Sequence, residues 1–379
     1  MKIILFFTYG ISLLDWENTG LLDRELKFYE KLYEKFGIST VLLTYGDSED
    51  IEIIKNKNFI EIVPIYTILK YDKNKYFRIA RSFILPFRLK KIIGDVQILK
   101  TNQLLGAWVA IICKLLYKKP LIVRTGYDLL TFSKKNNKNV IKIYFYRQLT
   151  KLSLRYSNIY LVTSSVDKEK LSVLFKKYAK KIKIRPNWVE VINSKGFDDR
   201  FENRLISIGR LEKQKNYSFL IDKLQNSELL LDIYGEGKEK ENLTKLSKSL
   251  NVKLTIKNPI KNNLLLEEIL KYRIFISSSN FEGNPKAVLE AMASGCVVIA
   301  KDNSNTSEII ENNHNGLIYR SKDDLISIIN NILSDKNEWI RISSNAINSI
   351  IALNSINAIT DHEYSDYVDL NYPQSSFGV

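Results

Sequence analysis

Residues 274–300 read IFISSSNFEGNPKAVLEAMASGCVVIA, and this stretch decides the fold. Two short apolar runs, 274–279 and 297–300, have the length and composition of buried parallel strands. Between them, residues 287–292 are good helix formers, and Gly295 supplies a stop after the helix. The stretch therefore predicts a strand, a loop, a helix and a second strand, as in a parallel sheet with covering helices.

The start of the predicted helix is suited to an anion. Asn284 is typical of a helix cap and Pro285 of the first helical position. The backbone N–H groups there and the positive end of the helix dipole suit a phosphate. Glu282 precedes the helix in the loop, and Glu290 falls in its second turn. Two carboxylates beside a phosphate site are suited to sugar hydroxyls, and the alternative is that both are solvated surface residues.

A second segment, residues 205–216, reads LISIGRLEKQKN. An apolar strand runs into a turn at Gly209, and Arg210 and Lys215 precede a helical pattern that begins at Tyr217. At such a turn an arginine can bind a diphosphate with its planar fork, and a lysine can bind it as a point charge. Because the chain has 57 Lys and Arg residues, the alternative is that these two cations are merely solvated.

The two segments together resemble glycosyltransferase family 4, which consists of retaining nucleotide-sugar transferases with the GT-B fold. The motifs that carry the resemblance occur in the family's order along the chain: Pro186-Asn187-Trp188-Val189, Gly209-Arg210-Leu211 with Lys215, Gly235-Glu236-Gly237, and Glu282 with Glu290. The resemblance covers most of the chain and is sharpest in the C-terminal half. It implies an α/β protein with two Rossmann-like domains whose parallel sheets face each other across a cleft.

Apolar runs of strand length alternate with helical patterns along the chain, which predicts parallel sheets with covering helices. The predicted strands are 3–7, 40–43, 96–100, 121–123, 159–163, 205–208, 229–234, 254–256, 274–278, 297–300 and 316–318, and the predicted helices include 21–36, 104–116 and 141–155. By resemblance, residues 1–187 form an acceptor-binding domain and residues 188–354 a nucleotide-sugar-binding domain. A crossover helix at about 355–379 is predicted to return to the first domain. The polar run 189–203 is predicted to be an interdomain linker.

The resemblance also assigns the donor site residue by residue. Arg210 and Lys215 are predicted to balance the charge on the departing diphosphate, and Glu282 to face the donor sugar, so these three are the catalytic candidates. Glu290 is predicted to hold the ribose hydroxyls. The remaining donor-binding candidates lie in loops or at the helix start: Gly209, Gly235, Asn258, Gly283, Asn284, Pro285 and Lys286.

Retention of configuration is expected to arise by front-face attack, with the leaving phosphate oxygen taking the proton of the acceptor. The alternative is a double displacement with a carboxylate such as Glu282 as nucleophile. The sequence has no Asp-x-Asp motif, and cationic side chains are placed to do the electrostatic work of a metal. We therefore expect an enzyme that needs neither a metal nor a cofactor.

On the acceptor side the sequence departs from the family. Many members carry histidines near the acceptor, whereas the only histidines of this chain are His314 and His362, outside residues 1–187. The candidates at the predicted strand ends of the first domain are Gly10, Asn102, Arg124 and Asp128. The alternative for these residues is a structural role in loop hydrogen bonding.

The positive charge of the chain is local. Residues 70–187 carry a net charge of +23, whereas residues 1–69 and 188–379 each carry −4. Within the basic part, residues 70–91 interleave eight cations and one acid with aromatic and aliphatic side chains, which suits an anionic membrane surface. The alternative is a core-facing helix with a lysine-rich outer face. Nucleic acid is the less favoured partner, because no zinc-finger or RNP-type signature is present.

The remaining composition bounds the location of the protein. No apolar run approaches ~18 residues, so no membrane-spanning helix is predicted. Cys113 and Cys296 lie in separate apolar runs and are expected to be buried thiols in a reducing compartment. These features, with the membrane contact, predict a cytoplasmic protein that is peripheral at the inner face of the cytoplasmic membrane.

The sequence thus predicts a retaining hexosyltransferase-type glycosyltransferase. Its donor is expected to be a UDP- or GDP-sugar, and its acceptor a glycan or a lipid-linked glycan in bacterial surface polysaccharide synthesis, such as lipopolysaccharide or capsule. One alternative is a nucleotide-sugar epimerase with the GT-B fold. A glycan phosphorylase is less favoured, because no lysine stands in the context of a pyridoxal-phosphate site. The other alternative is a non-enzymatic basic protein on the same scaffold that binds nucleic acid or membrane.

Overall fold

The computed structural model describes residues 1–54, 57–126, 129–135, 139–320 and 324–372. The chain divides into two compact units, one formed by Met1–Pro186 with Thr360–Val379 and the other by Asn187–Ile359. Each unit contains one parallel β-sheet covered by helices. The predicted α/β class with parallel sheets is therefore confirmed.

The first unit is built on a seven-stranded sheet in the order β3-β2-β1-β4-β5-β6-β7. Its strands are β1 Lys2–Phe6, β2 Ser39–Thr44, β3 Ile60–Pro64, β4 Ile98–Thr101, β5 Leu121–Arg124, β6 Ile159–Val162 and β7 Ile182–Ile184. In the centre of the sheet Leu5 pairs with Leu42 on one side and with Lys100 on the other. The central strands are buried on both faces, which accounts for their continuous apolar runs.

Short and long helices connect these strands. They are α1 Leu13–Asn18, α2 Leu22–Phe36, α3 Glu49–Ile53, α4 Ile65–Ile68, α5 Lys75–Ser82, α6 Leu85–Arg88, α7 Lys90–Gly94, α8 Ala107–Tyr117, α9 Leu129–Lys135, α10 Val140–Tyr156 and α11 Ser165–Leu174. Helix α2 buries one face against the sheet and ends at Gly37, whose φ of 64° fits the left-handed cap. Within the described residues no helix has both the length and the apolar character needed to cross a membrane.

The second unit is built on a six-stranded sheet in the order β10-β9-β8-β11-β12-β13. Its strands are β8 Phe201–Ile208, β9 Leu230–Tyr234, β10 Lys253–Lys257, β11 Tyr272–Ser277, β12 Val297–Lys301 and β13 Leu317–Tyr319. Its helices are α12 Tyr217–Lys223, α13 Lys240–Ser249, α14 Asn262–Ile269, α15 Lys286–Ala293, α16 Thr306–Ile309, α17 Leu325–Ser334 and α18 Lys336–Leu353. All eleven predicted strands are present across the two sheets, whereas β3 and β7 were missed.

The segment 189–203 is not the linker that its polarity predicted. Val189 pairs with Ser355 in an isolated bridge, and the Phe197 ring packs against Trp339 at 5.5 Å between ring centroids. Arg200 is buried and donates hydrogen bonds to the carbonyl oxygens of Tyr272 and Ser294 at 2.8 and 2.7 Å. Three buried side chains, those of Val189, Phe197 and Arg200, pack this otherwise polar segment onto the second unit, and their spacing has no hydrophobic periodicity.

The last helix, α19 Ile356–Asn371, returns the chain to the first unit. The ring of Tyr364 stacks on Phe36 at the end of α2, with 4.0 Å between centroids. A crossover helix near this position was predicted from the resemblance, and residues 373–379 of the predicted range lie outside the described residues.

Helix α19 also completes a buried cluster of charges. Glu363 is fully buried and forms an ion pair with the equally buried Lys100 of β4. Asp366 forms ion pairs with Arg185 and, at 2.6 Å, with Lys183. Burial alone would raise the pKa of Glu363, but Lys100, Arg185 and Arg124 outweigh that effect and hold the pKa below its usual range. The cluster therefore fixes α19 to the first sheet by charge as well as by packing.

Candidate active site

The strand, loop and helix predicted within residues 274–300 are β11, residues 278–285 and α15. The helix begins at Lys286, so Pro285 stands at the cap position and makes no side-chain cap hydrogen bond. The prediction that Asn284 caps the helix is wrong. Its side-chain oxygen instead accepts a hydrogen bond from the backbone N–H of Asn187 at 2.8 Å, and its carbonyl accepts one from the Asn187 side chain at 2.7 Å. Asn284 therefore ties the loop to the start of the second unit.

Glu290 is a buried carboxylate in the second turn of α15. It is only 5% exposed, so the alternative of a solvated surface residue is wrong for this position. Asn262, at the start of α14, donates from Nδ2 to Glu290 Oε1 at 3.0 Å. Asn262 was missed in the sequence, because a single Asn that starts a helix is usually a capping residue. The structure assigns it a contact with the predicted ribose-binding residue.

Glu282 and Lys215 are brought together by the structure. Lys215 Nζ lies 2.6 Å from Glu282 Oε1, and their side chains are 19% and 10% exposed. The loops that carry them are joined by further hydrogen bonds: Gln214 Nε2 donates to Phe281 O at 2.8 Å, and Ser278 Oγ donates to Lys215 O at 2.7 Å. The two sequence segments therefore form one site at the carboxyl ends of β8 and β11.

Arg210 occupies a different position from Lys215. Its side chain is 72% exposed and pairs with Glu212 at 3.1 Å. The arginine is thus on the same loop as Lys215 but held at the surface. The sequence predicts that both cations bind the diphosphate, and the structure places only the half-buried Lys215 against Glu282.

Glycines hold the loops after β8 and β9 against each other. A Cβ atom on Gly235 would lie 2.0 Å from the carbonyl oxygen of Gly209, and one on Gly237 would lie 2.5 Å from that of Leu211. The backbones are joined there, because Leu211 N donates to Glu236 O at 2.8 Å. Gly209 and Gly235 are predicted donor-binding residues. Gly235 permits the close backbone approach, whereas a Cβ on Gly209 would lie 2.8 Å from the side chain of Lys215.

Asn258 follows β10 and accepts a hydrogen bond from Lys240 Nζ at 3.4 Å. The neighbouring Lys257 lies over the Tyr234 ring and contacts its hydroxyl at 3.0 Å. Burial alone would lower the pKa of Lys257, but Tyr234 and Asp232 outweigh burial and raise it. Lys286, the first residue of α15, has its ammonium 5.4 Å from the centre of the Trp188 ring. These cations and aromatic rings lie on the same unit as Glu290.

The acceptor-side candidates lie in the first unit, at the carboxyl ends of neighbouring strands. Gly10 follows β1 with φ of 80°, and a Cβ there would meet nothing within 4 Å. Asn102 follows β4 and donates its backbone N–H to Phe6 O at 2.9 Å, while Arg124 ends β5 and donates its own to Thr101 Oγ1 at 3.1 Å. Asp128 lies outside the described residues. Three candidates therefore share one edge of the sheet.

Neither cysteine lies at these sites. Burial raises the pKa of the Cys113 thiol to about 12 and that of Cys296 to about 11, and both are free and buried as expected. Across the described part of the chain, no three His, Cys, Asp or Glu side chains are grouped so that they could hold a metal ion. The need for a metal remains a matter of prediction.

Comparison with known proteins finds a family model that matches most of the second unit. Residues 189–349 match the family model described as "Glycosyl transferases group 1". An uncharacterized glycosyltransferase of Methanocaldococcus jannaschii is 27% identical over 309 residues, which are 73% of this chain and 71% of that protein. N-acetylgalactosamine-N,N'-diacetylbacillosaminyl-diphospho-undecaprenol 4-alpha-N-acetylgalactosaminyltransferase of Campylobacter jejuni is 30% identical over 176 residues, covering 44% of this chain and about half, 48%, of its own.

Solved structures agree on the fold. Sucrose-phosphate synthase from Thermosynechococcus elongatus superposes with a TM-score of 0.77 at 15% identity and covers 99% of this chain and 100% of its own. The Anabaena protein HepE, solved in complex with UDP, has a TM-score of 0.72 at 15% identity and covers 97% of this chain and 99% of its own. The chain therefore has the GT-B fold with a glycosyl transferases group 1 domain at residues 189–349, and the prediction of a glycosyltransferase enzyme is confirmed.

Proposed function

We propose that this protein is a retaining glycosyltransferase of family 4 that moves a hexose from a nucleotide sugar to a glycan or lipid-linked acceptor in bacterial surface polysaccharide synthesis. The observation that carries the proposal is the joining of the two motif loops by the Lys215–Glu282 contact, beside the start of α15 and the buried Glu290. The Campylobacter relative is named for a diphospho-undecaprenol substrate, which supports a lipid-linked acceptor. HepE was solved with UDP, which supports a uridine nucleotide in the donor.

The proposed roles follow from the chemistry of each group. Glu290 accepts hydrogen bonds from the two ribose hydroxyls, as a buried carboxylate with one oxygen on Asn262 can do. Lys215 holds its ammonium against Glu282 and neutralises the leaving diphosphate. Arg210, which is exposed, joins it by turning its guanidinium from Glu212 to the phosphates. Of residues 283–286, Gly283, Asn284 and Lys286 supply backbone N–H groups, since Pro285 has none.

In the proposed reaction the acceptor oxygen bonds to the anomeric carbon on the face from which the diphosphate departs. The bond between that carbon and the phosphate oxygen breaks, and the same oxygen takes the acceptor's proton. Glu282 faces the donor sugar, held in place by Lys215 at 2.6 Å, and stabilises positive charge on the sugar ring. In a double displacement Glu282 would instead bond to the anomeric carbon. Charge on the diphosphate is met by side chains and backbone dipoles, so the proposed reaction is independent of metal.

We further propose that the enzyme works as a peripheral protein at the inner face of the cytoplasmic membrane. Residues 70–91, here called the 70–91 surface, fold into α5, α6 and the start of α7, and they expose six large side chains by about half or more: Tyr71, Tyr76, Phe77, Phe83, Ile84 and Phe87. Leu85 and Leu89 are buried, so the segment is attached to the first unit on its other face. Exposed aromatic rings among eight cations favour an anionic bilayer.

The donor proposal is tested by a thermal-shift panel of UDP-, GDP-, ADP- and CDP-sugars. We expect one or two of them to raise the melting temperature of the wild type and to lose that effect in Glu290→Ala, because a ligand stabilises the state that binds it. No shift with any of the four would overturn the proposed donor site. Incubation with the stabilising nucleotide sugar alone separates the epimerase alternative, which would isomerise the donor without an acceptor. With an acceptor, the anomeric configuration of the product by NMR decides whether the reaction is retaining.

The membrane proposal is tested by flotation with anionic vesicles. Arg78 and Arg81 donate to the carbonyl oxygens of Asp72 and Lys70, so their loss would disturb the segment itself. The clean variant therefore replaces the exposed cations outside those contacts, which are Lys73, Lys75, Arg88, Lys90 and Lys91, with glutamine. We expect this variant to remain with the protein fraction while the wild type floats, and equal flotation of both would overturn the proposal.

A further inference from the structure

The first half of α10 presents an apolar surface that packing within the first unit does not use. From Val140 to Gln148 the helix reads VIKIYFYRQ, and no residue of these nine is buried. Val140 and Ile141 are 78% and 75% exposed, and Tyr144 and Phe145 continue the same stripe one turn later. The helix becomes buried only from Leu149 onward. An ordinary surface helix has its apolar stripe on the core side, so this arrangement is reversed.

The charge around this stripe has one sign. Residues 129–166 contain seven Lys and Arg residues and no Asp or Glu. Among them Lys142, Arg147 and Lys151 lie on α10 and are exposed. A second copy of the chain or another protein that covered the stripe would bring these cations against a surface that must be acidic to avoid repulsion. A layer of anionic lipid headgroups supplies that negative charge directly, and the apolar interior of the bilayer beneath it can accept the apolar stripe.

The helix is well formed where it is exposed. The Asn139 side chain accepts a hydrogen bond from the backbone N–H of Ile141 at 2.8 Å and so caps the first turn. Helix α8 packs against α6 on the 70–91 surface and also against α10. Helix α10 therefore neighbours, through α8, the surface already proposed to meet the membrane.

We propose that Val140, Ile141, Tyr144 and Phe145 form a second membrane contact, inserted into the headgroup region of an anionic bilayer, with Lys142, Arg147 and Lys151 at the lipid phosphates. We call these seven residues the α10 surface. This inference rests on the membrane part of the proposed function and adds a separate element to it. Two contacts on one unit would bind cooperatively, because the second becomes intramolecular once the first has formed. They would also fix which side of the first unit faces the bilayer.

The test uses environment-sensitive fluorescence at single sites. Cys113 and Cys296 are fully buried, so a new exposed cysteine can be labelled selectively with a nitrobenzoxadiazole probe. Three labelled variants are compared: Val140→Cys on the α10 surface, Phe77→Cys on the 70–91 surface, and Leu353→Cys as a control on the second unit, where Leu353 is also exposed. Each is titrated with vesicles of phosphatidylcholine alone and with vesicles that contain phosphatidylglycerol.

We expect the probes at residues 140 and 77 to gain intensity and shift to the blue with anionic vesicles only, while the probe at 353 is unchanged. A response at 77 without one at 140 overturns the α10 surface and leaves the 70–91 surface standing. A response at 140 alone supports the inference and overturns the 70–91 surface, and no response at either site overturns both. A response at 140 that depends on protein concentration without vesicles shows that a second copy covers the stripe, which also overturns the inference.

An unlabelled variant gives the energetic counterpart. Ile141→Ser with Tyr144→Ser and Phe145→Ser removes the apolar stripe and keeps the cations, and we expect the partition coefficient on anionic vesicles to fall at least about tenfold. The matched control, Ile351→Ser with Leu353→Ser on α18, removes exposed apolar side chains elsewhere and should leave partitioning unchanged. Equal partitioning of the α10 variant and the control would overturn the inference. Thermal stabilisation by the nucleotide sugar should be the same in both variants, which separates this test from the test of the donor site.

Discussion

Lys215 Nζ and Glu282 Oε1 lie 2.6 Å apart although 67 residues separate the two in the chain. Each residue belongs to a loop that follows a different strand, β8 or β11, and the two strands are neighbours in the second sheet. The ammonium proposed to neutralise the diphosphate is thus paired with the carboxylate proposed to face the sugar. When the donor binds, the Lys215 ammonium must therefore interact with both the Glu282 carboxylate and a phosphate.

This arrangement predicts opposite effects on nucleotide affinity for the two partners. Lys215→Ala removes the cation and leaves the Glu282 carboxylate facing the diphosphate, so we expect the nucleotide diphosphate to bind about 10- to 100-fold more weakly, in line with the strength of charge-assisted hydrogen bonds. Glu282→Gln frees the lysine, so nucleotide affinity should stay equal or rise while kcat falls. Isothermal titration with the nucleotide diphosphate, together with initial rates, checks both. Weaker nucleotide binding by Glu282→Gln would contradict this sharing of the Lys215 ammonium.

The contact between Asn262 and Glu290 predicts a positioning effect. Asn262→Ala leaves the carboxylate in place but removes the hydrogen bond from Asn262, and we expect the KM for the nucleotide sugar to rise several-fold with little change in kcat. In a Glu290→Ala background the same substitution should have no further effect, because the two act through one contact. Asn263→Ala is the matched control, since Asn263 is the exposed neighbour of Asn262. Additive losses in the double variant would show that Asn262 acts independently of Glu290.

Gly235 is predicted to tolerate no side chain. The Cβ of Gly235→Ala would meet the backbone of Gly209 at 2.0 Å, so the loops after β8 and β9 must separate. We expect a loss of roughly 1–3 kcal/mol in the free energy of unfolding of the second unit, as for other overpacked sites, and loss of nucleotide binding. Gly94→Ala is the control, since a Cβ on Gly94 would meet nothing within 4 Å. Melting curves with and without nucleotide sugar measure both effects, and an unchanged Gly235→Ala would refute the close approach.

The buried cluster on α19 predicts acid sensitivity of the first unit. The pKa of Glu363 is held low in the folded state, so its stabilising contribution is fully present above the unfolded pKa near ~4.3 and is lost as the pH falls through the lower folded value. We expect the melting temperature to fall steeply below about pH 4.3. Glu363→Gln should melt at a lower temperature at pH 7, because Lys100 is left without its carboxylate. Its melting temperature should also fall less steeply at acidic pH (the acid limb of the curve of melting temperature against pH).

The control for the acid limb is an ion pair at the surface. Glu61 pairs with Lys2 at 2.6 Å, and both side chains are substantially exposed. Surface pairs contribute little, so Glu61→Gln should follow the wild type at every pH. An acid limb in Glu363→Gln as steep as that of the wild type would show that other carboxylates govern acid unfolding.

The fold could be predicted from the sequence to a large extent, because buried parallel strands are continuous apolar runs and all but β3 and β7 stand out as such. Ile60–Pro64 is only half buried, and Ile182–Ile184 has three residues, so neither has the length and burial that make a run conspicuous. In both cases the strand is missed because its own sequence is too short or too polar to form a recognisable apolar run.

The candidate site could be predicted only in part. Residue types and spacing indicate Glu282, Glu290 and Lys215 as candidates, since each stands next to a strand end or a helix start, and the structure places Glu282 against Lys215. The partner of each could not be predicted, because Asn262 and Asn187 contact the site from sequence distances of 28 and 97 residues. For the same reason the sequence around Asn284 predicts a helix cap, whereas the fold brings Asn187 within hydrogen-bonding distance of its side chain.

The position of helix α19 at the end of the chain affects folding during synthesis on the ribosome. The acids that neutralise Lys100 and Arg185 are Glu363 and Asp366, and Asp366 is translated 181 residues after Arg185. At elongation rates of about 5–20 residues per second, roughly 10–35 s pass between the synthesis of Arg185 and that of Asp366. During this time the buried cations of the first unit lack these carboxylates. The whole second unit emerges in that interval and has all of its own strands before the first unit has its last helix. The half of the chain that is synthesised first is thus the half that matures last.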